Sequence, residues 1–134
     1  MSKIDSICII DDDPIIVFGI KKMLSLVVEY NNLYTYKNGK LAIDGINGLL
    51  LNGMDAPDVI FLDINMPIMD GWQFLEEFIA LPLTKKVRVN IVTSSIDPVD
   101  KERWEFFKSK TRHVVEFNNK PIRKADIKEI TKLA

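Results

Sequence analysis

The chain has 134 residues, which fits one domain, and its 47% of hydrophobic residues exclude a disordered chain. No apolar stretch is long enough to span a bilayer, and no basic run with interleaved aromatic residues suggests nucleic-acid binding. The net charge of −1 hides an asymmetry, because residues 1–83 hold five Lys/Arg and twelve Asp/Glu, whereas residues 84–134 hold thirteen and seven.

The early part of the chain alternates short apolar runs with helical periodicity. Residues 6–10 predict a first strand, and an amphipathic helix follows Pro14. Residues 33–36 predict a second strand, which a turn at 37–39 separates from a second helix. The helical positions are Val17, Ile20, Leu24 and Val27 in the first helix and Ala42, Ile46, Leu49 and Leu50 in the second.

The same alternation continues to the end of the chain. The remaining predicted strands are 59–62, 87–92 and 114–117, and their helices follow the turn at 67–71, occupy 97–110 and follow Pro121. Five successive strand–helix units predict an α/β fold with a parallel sheet and helices on both faces. In open sheets of this class, ligands bind beyond the carboxyl ends of the strands.

Four further features of the sequence carry structural expectations. Cys8 is the only cysteine and lies in the first predicted strand, so we expect a buried, inert thiol and no internal disulfide. The apolar stretch within residues 1–13 is too short for a signal peptide, and we expect a cytoplasmic protein. His113 is expected at the surface, at the far edge of the sheet. Trp104 is expected to pack in the core, the alternative being an exposed aromatic that serves a partner.

Polar side chains follow four of the predicted strands. Asp11–Asp13 come after the first strand, Asp63 after the third, Thr93 after the fourth and Lys120 after the fifth. Parallel strands bring these residues to one edge of the sheet. Carboxylates that converge there raise each other's pKa unless a cation compensates, and oxygen ligands without a His or Cys cluster favour Mg²⁺. Carboxylates, a cation, a lysine and a hydroxyl suit a phosphoryl group.

Each of these residues also has an ordinary structural alternative. Asp11–Asp13 would favour the dipole at a helix N-terminus, and Asp63 could cap a helix. Residues 93–95 could be polar turn residues, and Phe117 could belong only to the core. The acidic early part fits a cation site and the basic late part fits a partner surface, unless the two charges simply neutralise each other within one fold.

Four motifs occur in order and at suitable spacings: "IIDDDP" at 9–14, "FLDINMPIMDG" at 61–71, "IVTSS" at 91–95 and "NKP" at 119–121. With them the chain resembles a response-regulator receiver domain of a two-component phosphorelay, of the single-domain type found in chemotaxis. The resemblance implies a flavodoxin-like (βα)5 fold, a doubly wound five-stranded parallel sheet with strand order 2-1-3-4-5. It covers residues 1–134 as one receiver domain and leaves no output domain.

The resemblance also implies a phosphorylation site with bound metal. Asp63 matches the phosphoacceptor, and Asp11 and Asp12 match the acidic pair that holds Mg²⁺. Asp63 and the backbone carbonyl of Asn65 would complete the ligands from the protein, while Asp13 falls at a position that is often acidic without being a ligand.

Three further positions match the residues that respond to phosphorylation. Lys120 resembles the lysine that binds a phosphoryl oxygen, Thr93 the switch hydroxyl and Phe117 the switch aromatic. The implied partners are a sensor histidine kinase or histidine phosphotransfer protein and a downstream protein effector, with no direct nucleic-acid contact and no membrane insertion. The resemblance also allows a homodimer on activation.

Two other functions compete with this interpretation. An Mg²⁺-dependent phosphohydrolase of the haloacid dehalogenase type also uses an aspartyl nucleophile. Such enzymes place an acid–base Asp two residues later, where this chain has Asn65, and no cap domain fits in the length. A receiver-fold interaction module that is never phosphorylated is the other alternative, although such proteins usually lack one of the acids or the lysine, which this chain keeps.

Overall fold

The computed structural model describes residues 4–134, so the first three residues of the stretch considered for a signal peptide lie outside the described part. Five strands alternate with five helices, as the sequence predicts. They are β1 (Ile4–Ile10), α1 (Pro14–Val27), β2 (Tyr30–Tyr36), α2 (Gly39–Leu51), β3 (Val59–Leu62), α3 (Gly71–Ile79), β4 (Arg88–Thr93), α4 (Pro98–Lys110), β5 (Val114–Asn119) and α5 (Lys124–Ile130). None of the described helices is long and apolar enough to cross a membrane.

The strands form one parallel sheet in the order β2-β1-β3-β4-β5, which confirms the predicted fold class and strand order. The order steps outward from β1 in both directions, so β1 and β3 are neighbours although α1, β2 and α2 separate them in sequence. The ends of β1 and β3 therefore meet at the middle of one sheet edge, which is where ligands bind in open α/β sheets.

Three strands are longer than the apolar letters predict. β1 begins at Ile4 rather than at 6. β2 begins at Tyr30 rather than at 33, because Tyr30 pairs with Ile4 and Asn32 with Ser6. β5 continues through Asn118 and Asn119, which pair with β4, whereas the sequence analysis ends that strand at 117. The apolar pattern does not predict these strand ends, because most of their residues are polar and join the sheet through backbone pairing with a neighbouring strand.

The core lies in two layers, one on each face of the sheet, because successive strand side chains point to opposite faces. α2 and α3 contribute to the first layer, and α1 and α5 to the second. The strand residues of the first layer include Cys8, Ile10, Ile60 and Leu62, and those of the second include Ile7, Ile9, Val59 and Phe61. Cys8 is free and fully buried as predicted, and burial raises the pKa of its thiol, which makes it unreactive.

α4 lies on the first layer without burying any residue completely. Trp104 is its half-buried anchor: the indole N–H donates to the Val115 carbonyl oxygen at 2.8 Å, and the ring packs against Phe117 at 5.8 Å between centroids. This supports the packing role for Trp104. The apolar residues Val99 and Phe106 of the same helix are 49% and 56% exposed.

The expectation that His113 lies at the surface is wrong. His113 is only 7% exposed, and its Nδ1 accepts a hydrogen bond of 2.9 Å from the Val87 N–H. The imidazole also packs against Phe78, with the ring centroids 5.4 Å apart. The sequence does not predict this burial, because His113 becomes a hydrogen-bond acceptor only when the fold brings Val87 next to it. Burial, and secondarily Arg112, lower the pKa of His113.

This burial predicts a pH-dependent stability. Because the pKa of folded His113 lies below its unfolded value of about 6.5, its contribution is complete above that pH and is lost as pH falls below it. His113→Asn keeps a hydrogen-bond acceptor but does not titrate. We expect the difference in free energy of unfolding between wild type and variant, from urea denaturation, to narrow between about pH 7.5 and about pH 5.5. Carboxylates common to both proteins cancel in this difference, so a constant gap would contradict the account.

Candidate phosphorylation site

Two carboxylates are fixed at the ends of neighbouring strands. Asp11 directly follows β1, and its N–H donates to the Tyr36 carbonyl oxygen at 3.0 Å. Asp63 directly follows β3, and its N–H donates to the Ile10 carbonyl oxygen at 2.9 Å. Each residue thus continues the hydrogen-bond ladder of its strand, so the backbones under both carboxylates are held by the sheet.

Asp12 joins these two residues in an acidic cluster. Asp11, Asp12 and Asp63 each offer a carboxylate oxygen, and these oxygens lie within 4.8 Å of one another. Asp11 and Asp63 are buried at 5% and 6% exposure, while Asp12 is exposed. Three oxygen donors of this kind, open to solvent on one side, suit a hard divalent cation such as Mg²⁺.

The cluster is electrostatically strained. Burial raises the pKa of both Asp11 and Asp63, and the nearby Asp11 carboxylate raises that of Asp63 further. Lys120 partly offsets both shifts: its Nζ lies 3.4 Å from Asp11 Oδ2 and 3.7 Å from Asp63 Oδ1. The site therefore contains three carboxylates and one ammonium group, so its net charge is negative when all of them are ionised.

Lys120 is positioned by its own backbone. Its N–H donates to the Thr93 carbonyl oxygen at 2.8 Å, which fixes the residue beside the end of β4. The Lys120–Pro121 peptide bond is cis. The sequence analysis expected Lys120 to reach the acids from the end of β5, and the structure places it there.

Asp13 is separate from the cluster, as the sequence analysis expected. Its side chain caps α1 by accepting from the Ile15 N–H at 2.9 Å, and its own N–H donates to Asp11 Oδ1 at 2.9 Å. Asp13 therefore helps to orient Asp11 while its carboxylate serves the helix terminus.

The remaining predicted residues lie around the acids. The N–H of Asn65 donates to Asp63 Oδ1 at 3.4 Å. Thr93 is fully buried at the end of β4, and its hydroxyl oxygen accepts from the Ser95 N–H at 3.0 Å. Phe117 is half-buried against Trp104. The metal-ligand role of the Asn65 carbonyl and the switch roles of Thr93 and Phe117 stay predictions.

The glycine at position 71, at the start of α3, has a steric reason. A Cβ on Gly71 would lie 2.5 Å from the carbonyl oxygen of Asp63 and 2.7 Å from Ile64 Cα, closer than real Cβ contacts. Glycine therefore lets the start of α3 approach the backbone of Asp63. Asp70 caps that helix, accepting from the Gln73 N–H at 2.9 Å, while the Gln73 side chain accepts from the Asp70 N–H.

The sequence analysis missed a hydrogen-bond chain that leaves the site through Ser95. Asp100, in the first turn of α4, accepts from the Ser95 hydroxyl at 2.5 Å and from the Trp72 indole N–H at 3.0 Å. The Trp72 ring stacks on Phe107 with 5.8 Å between centroids and 7° between planes. Since Ser95 also donates to Thr93, the chain connects the predicted switch hydroxyl with α3 and α4. In sequence, Asp100 is simply an acid near a helix N-terminus.

Comparisons with known proteins point to one family. The family model for the response regulator receiver domain matches residues 7–132. A two-component response regulator from Cytophaga hutchinsonii has a solved structure with TM-score 0.80 and 29% identity, covering 96% of this chain and 95% of that one. A solved CheX-CheY-BeF3-Mg²⁺ complex from Borrelia burgdorferi matches with TM-score 0.74 and 20% identity over 94% of this chain and 85% of that chain, which shows the fold alone.

Among curated proteins, the nitrate/nitrite response regulator NarL of Escherichia coli is 30% identical over 94 residues, which are 70% of this chain and 41% of NarL. The chain therefore spans less than half of that relative. The receiver match, by contrast, extends over nearly all of the chain and includes every element of the site. The chain belongs to the response regulator receiver domain family.

Proposed function

We propose that the chain accepts a phosphoryl group on Asp63 from a phosphohistidine donor, with Mg²⁺, and that this switches a partner-binding surface. The observation that carries the proposal is the cluster of Asp11, Asp12 and Asp63 with Lys120 beside it, at the ends of three strands of a receiver fold. The chain would thus be a cytoplasmic signalling domain that catalyses only its own phosphorylation and dephosphorylation.

The chemistry follows from the positions of these groups. A carboxylate oxygen of Asp63 attacks the phosphorus, the phosphorus–nitrogen bond breaks, and its electron pair stays on the imidazole of the donor. Asp11, Asp12, Asp63 and the Asn65 carbonyl would hold Mg²⁺, which neutralises negative charge on the phosphoryl oxygens. The Lys120 ammonium, already between two carboxylates, would bind a further phosphoryl oxygen.

The switch would start at Thr93. Its hydroxyl oxygen accepts from Ser95, which leaves its proton free to be donated to a phosphoryl oxygen. Movement of Thr93 would disturb Ser95 and, with Phe117, rearrange α4, β5 and α5. This surface exposes the apolar side chains of Val99 and Phe106, so it suits a downstream protein effector. The phosphodonor partner would be a sensor histidine kinase or a histidine phosphotransfer protein.

Phosphorylation by a small donor tests the proposal directly. Incubation with acetyl phosphate or phosphoramidate and Mg²⁺ is expected to add one phosphoryl group, measured by intact mass. The adduct should be absent when Mg²⁺ is omitted and in the Asp63→Asn variant. A folded wild type that gains no phosphoryl group from either donor would contradict the proposal and favour an interaction module. Sustained multiple turnover of an aryl phosphate would instead favour the phosphohydrolase.

The assignment of the metal ligands predicts a contrast between two adjacent acids. Asp12→Asn should raise the Mg²⁺ concentration for half-maximal phosphorylation by about tenfold or more, since even groups that only support metal ligands contribute that much. Asp13→Asn is the matched control, because it removes the same charge one residue away and asparagine also caps helices well. Equal effects of the two substitutions, measured with acetyl phosphate, would contradict the assignment.

A further inference from the structure

β2 forms one edge of the sheet, and its outer side pairs with no strand among residues 4–134. Its sequence, YNNLYTY, has no charge, no proline and no glycine over seven residues. An edge strand presents unpaired N–H and C=O groups, and natural proteins usually protect such edges with charged residues, proline or a bulge. β2 has none of these charged or proline residues, so its edge is open to another strand.

The opposite edge of the same sheet is protected differently. β5 carries Glu116, whose Oε1 lies 3.7 Å from Nη1 of Arg88, and the chain then continues into Lys120 and Pro121. α4 also packs against β5 through the bond from Trp104 to Val115. The two edges therefore differ in charge and proline content within one molecule. The lack of protecting charged and proline residues is specific to β2.

The composition of β2 suits pairing with an identical strand. Uncharged segments of six or seven residues without proline can pair with identical copies, and contacts between amide groups and between aromatic rings add to such pairing. Asn31, Asn32 and Thr35 are exposed, while Leu33 packs against the second core layer and anchors the strand.

The charges at the two ends of β2 point to one register. In an antiparallel pair centred on Leu33, Tyr30 of one copy lies opposite Tyr36 of the other, and one residue further out Glu29 lies opposite Lys37. Both charged residues are exposed. Such a pair is two-fold symmetric, so each dimer would contain the Glu29–Lys37 contact twice.

A cleft beside the strand gives the second copy room. It measures about 520 Å³ and lies between α1 and the end of β2. Its lining includes Phe18, Thr35, Tyr36 and Lys37, and also Asp11 and Asp12, so the cleft borders the acidic cluster. Phe18 is 66% exposed and offers apolar area next to the strand. We propose that a second copy of this chain docks here, with β2 pairing antiparallel to β2 about Leu33 to make one continuous sheet across the dimer.

This dimer does not depend on phosphorylation, and it uses a different surface from the α4–β5–α5 face. The test therefore uses the full unphosphorylated chain, so that its outcome is independent of the proposed function. Sedimentation velocity over a range of concentrations is expected to show a reversible monomer–dimer equilibrium that weakens at high salt. A single monomeric species up to millimolar concentration would overturn the proposal.

Charge reversal tests the register. Glu29→Lys or Lys37→Glu alone brings like charges together twice per dimer and is expected to weaken dimerisation about fivefold or more, while the double variant should regain most of the wild-type affinity. Lys86→Glu, on an exposed residue before β4, is the matched control and should have no effect. Failure of the double variant to regain affinity would overturn the register.

A substitution inside the strand separates this edge from other surfaces. Asn32→Lys places a charge near the centre of the pairing strands and is expected to abolish the dimer. Because Asn32 is exposed, we expect the variant to keep the fold. Thermal unfolding of the monomeric variant checks this. A dimer that persists in this variant uses another surface and would overturn the proposal.

Discussion

The mutual repulsion of three carboxylates is the constraint on which the rest of the site depends. Asp11 and Asp63 are held at the ends of β1 and β3 by backbone hydrogen bonds to the neighbouring strands, so their backbones cannot move apart without breaking the sheet. Burial adds to the cost of their charges, and Lys120 relieves only part of it. The fold therefore keeps a charge arrangement that is unfavourable by itself and that a bound cation would relieve.

Several neighbouring residues hold this arrangement in place. Gly71 allows α3 to start against the backbone of Asp63, and Asp13 orients Asp11 while it caps α1. The bonds from Thr93 through Ser95 to Asp100 connect the same sheet edge with the helices that cover the first core layer. Hydrogen bonds thus connect the sheet edge that carries the acids with the first turn of α4.

The sequence predicts most of this structure because its patterns are strong where the strands are apolar. Residues 59–62 could be placed as a strand from their continuous apolar run, and the strand-end rule brought the acids after β1 and β3 together with Lys120. The failures lie where partners distant in sequence decide the outcome. His113 is buried because Val87 supplies a donor, and β2 begins at Tyr30 because β1 pairs with it. Asp100 gains its two donors only after α3 and α4 pack together.

The repulsion between the three carboxylates should lower the stability of the folded protein until a cation binds, and thermal unfolding at neutral pH measures this effect. Since burial and the neighbouring Asp11 carboxylate raise the pKa of folded Asp63, its charged form destabilises the native state at neutral pH, and Asp63→Asn should have a higher Tm than wild type without cation. Mg²⁺ should raise the Tm of the wild type and raise that of the variant much less. A wild type that melts higher than Asp63→Asn without cation, or that does not respond to Mg²⁺, would contradict the account.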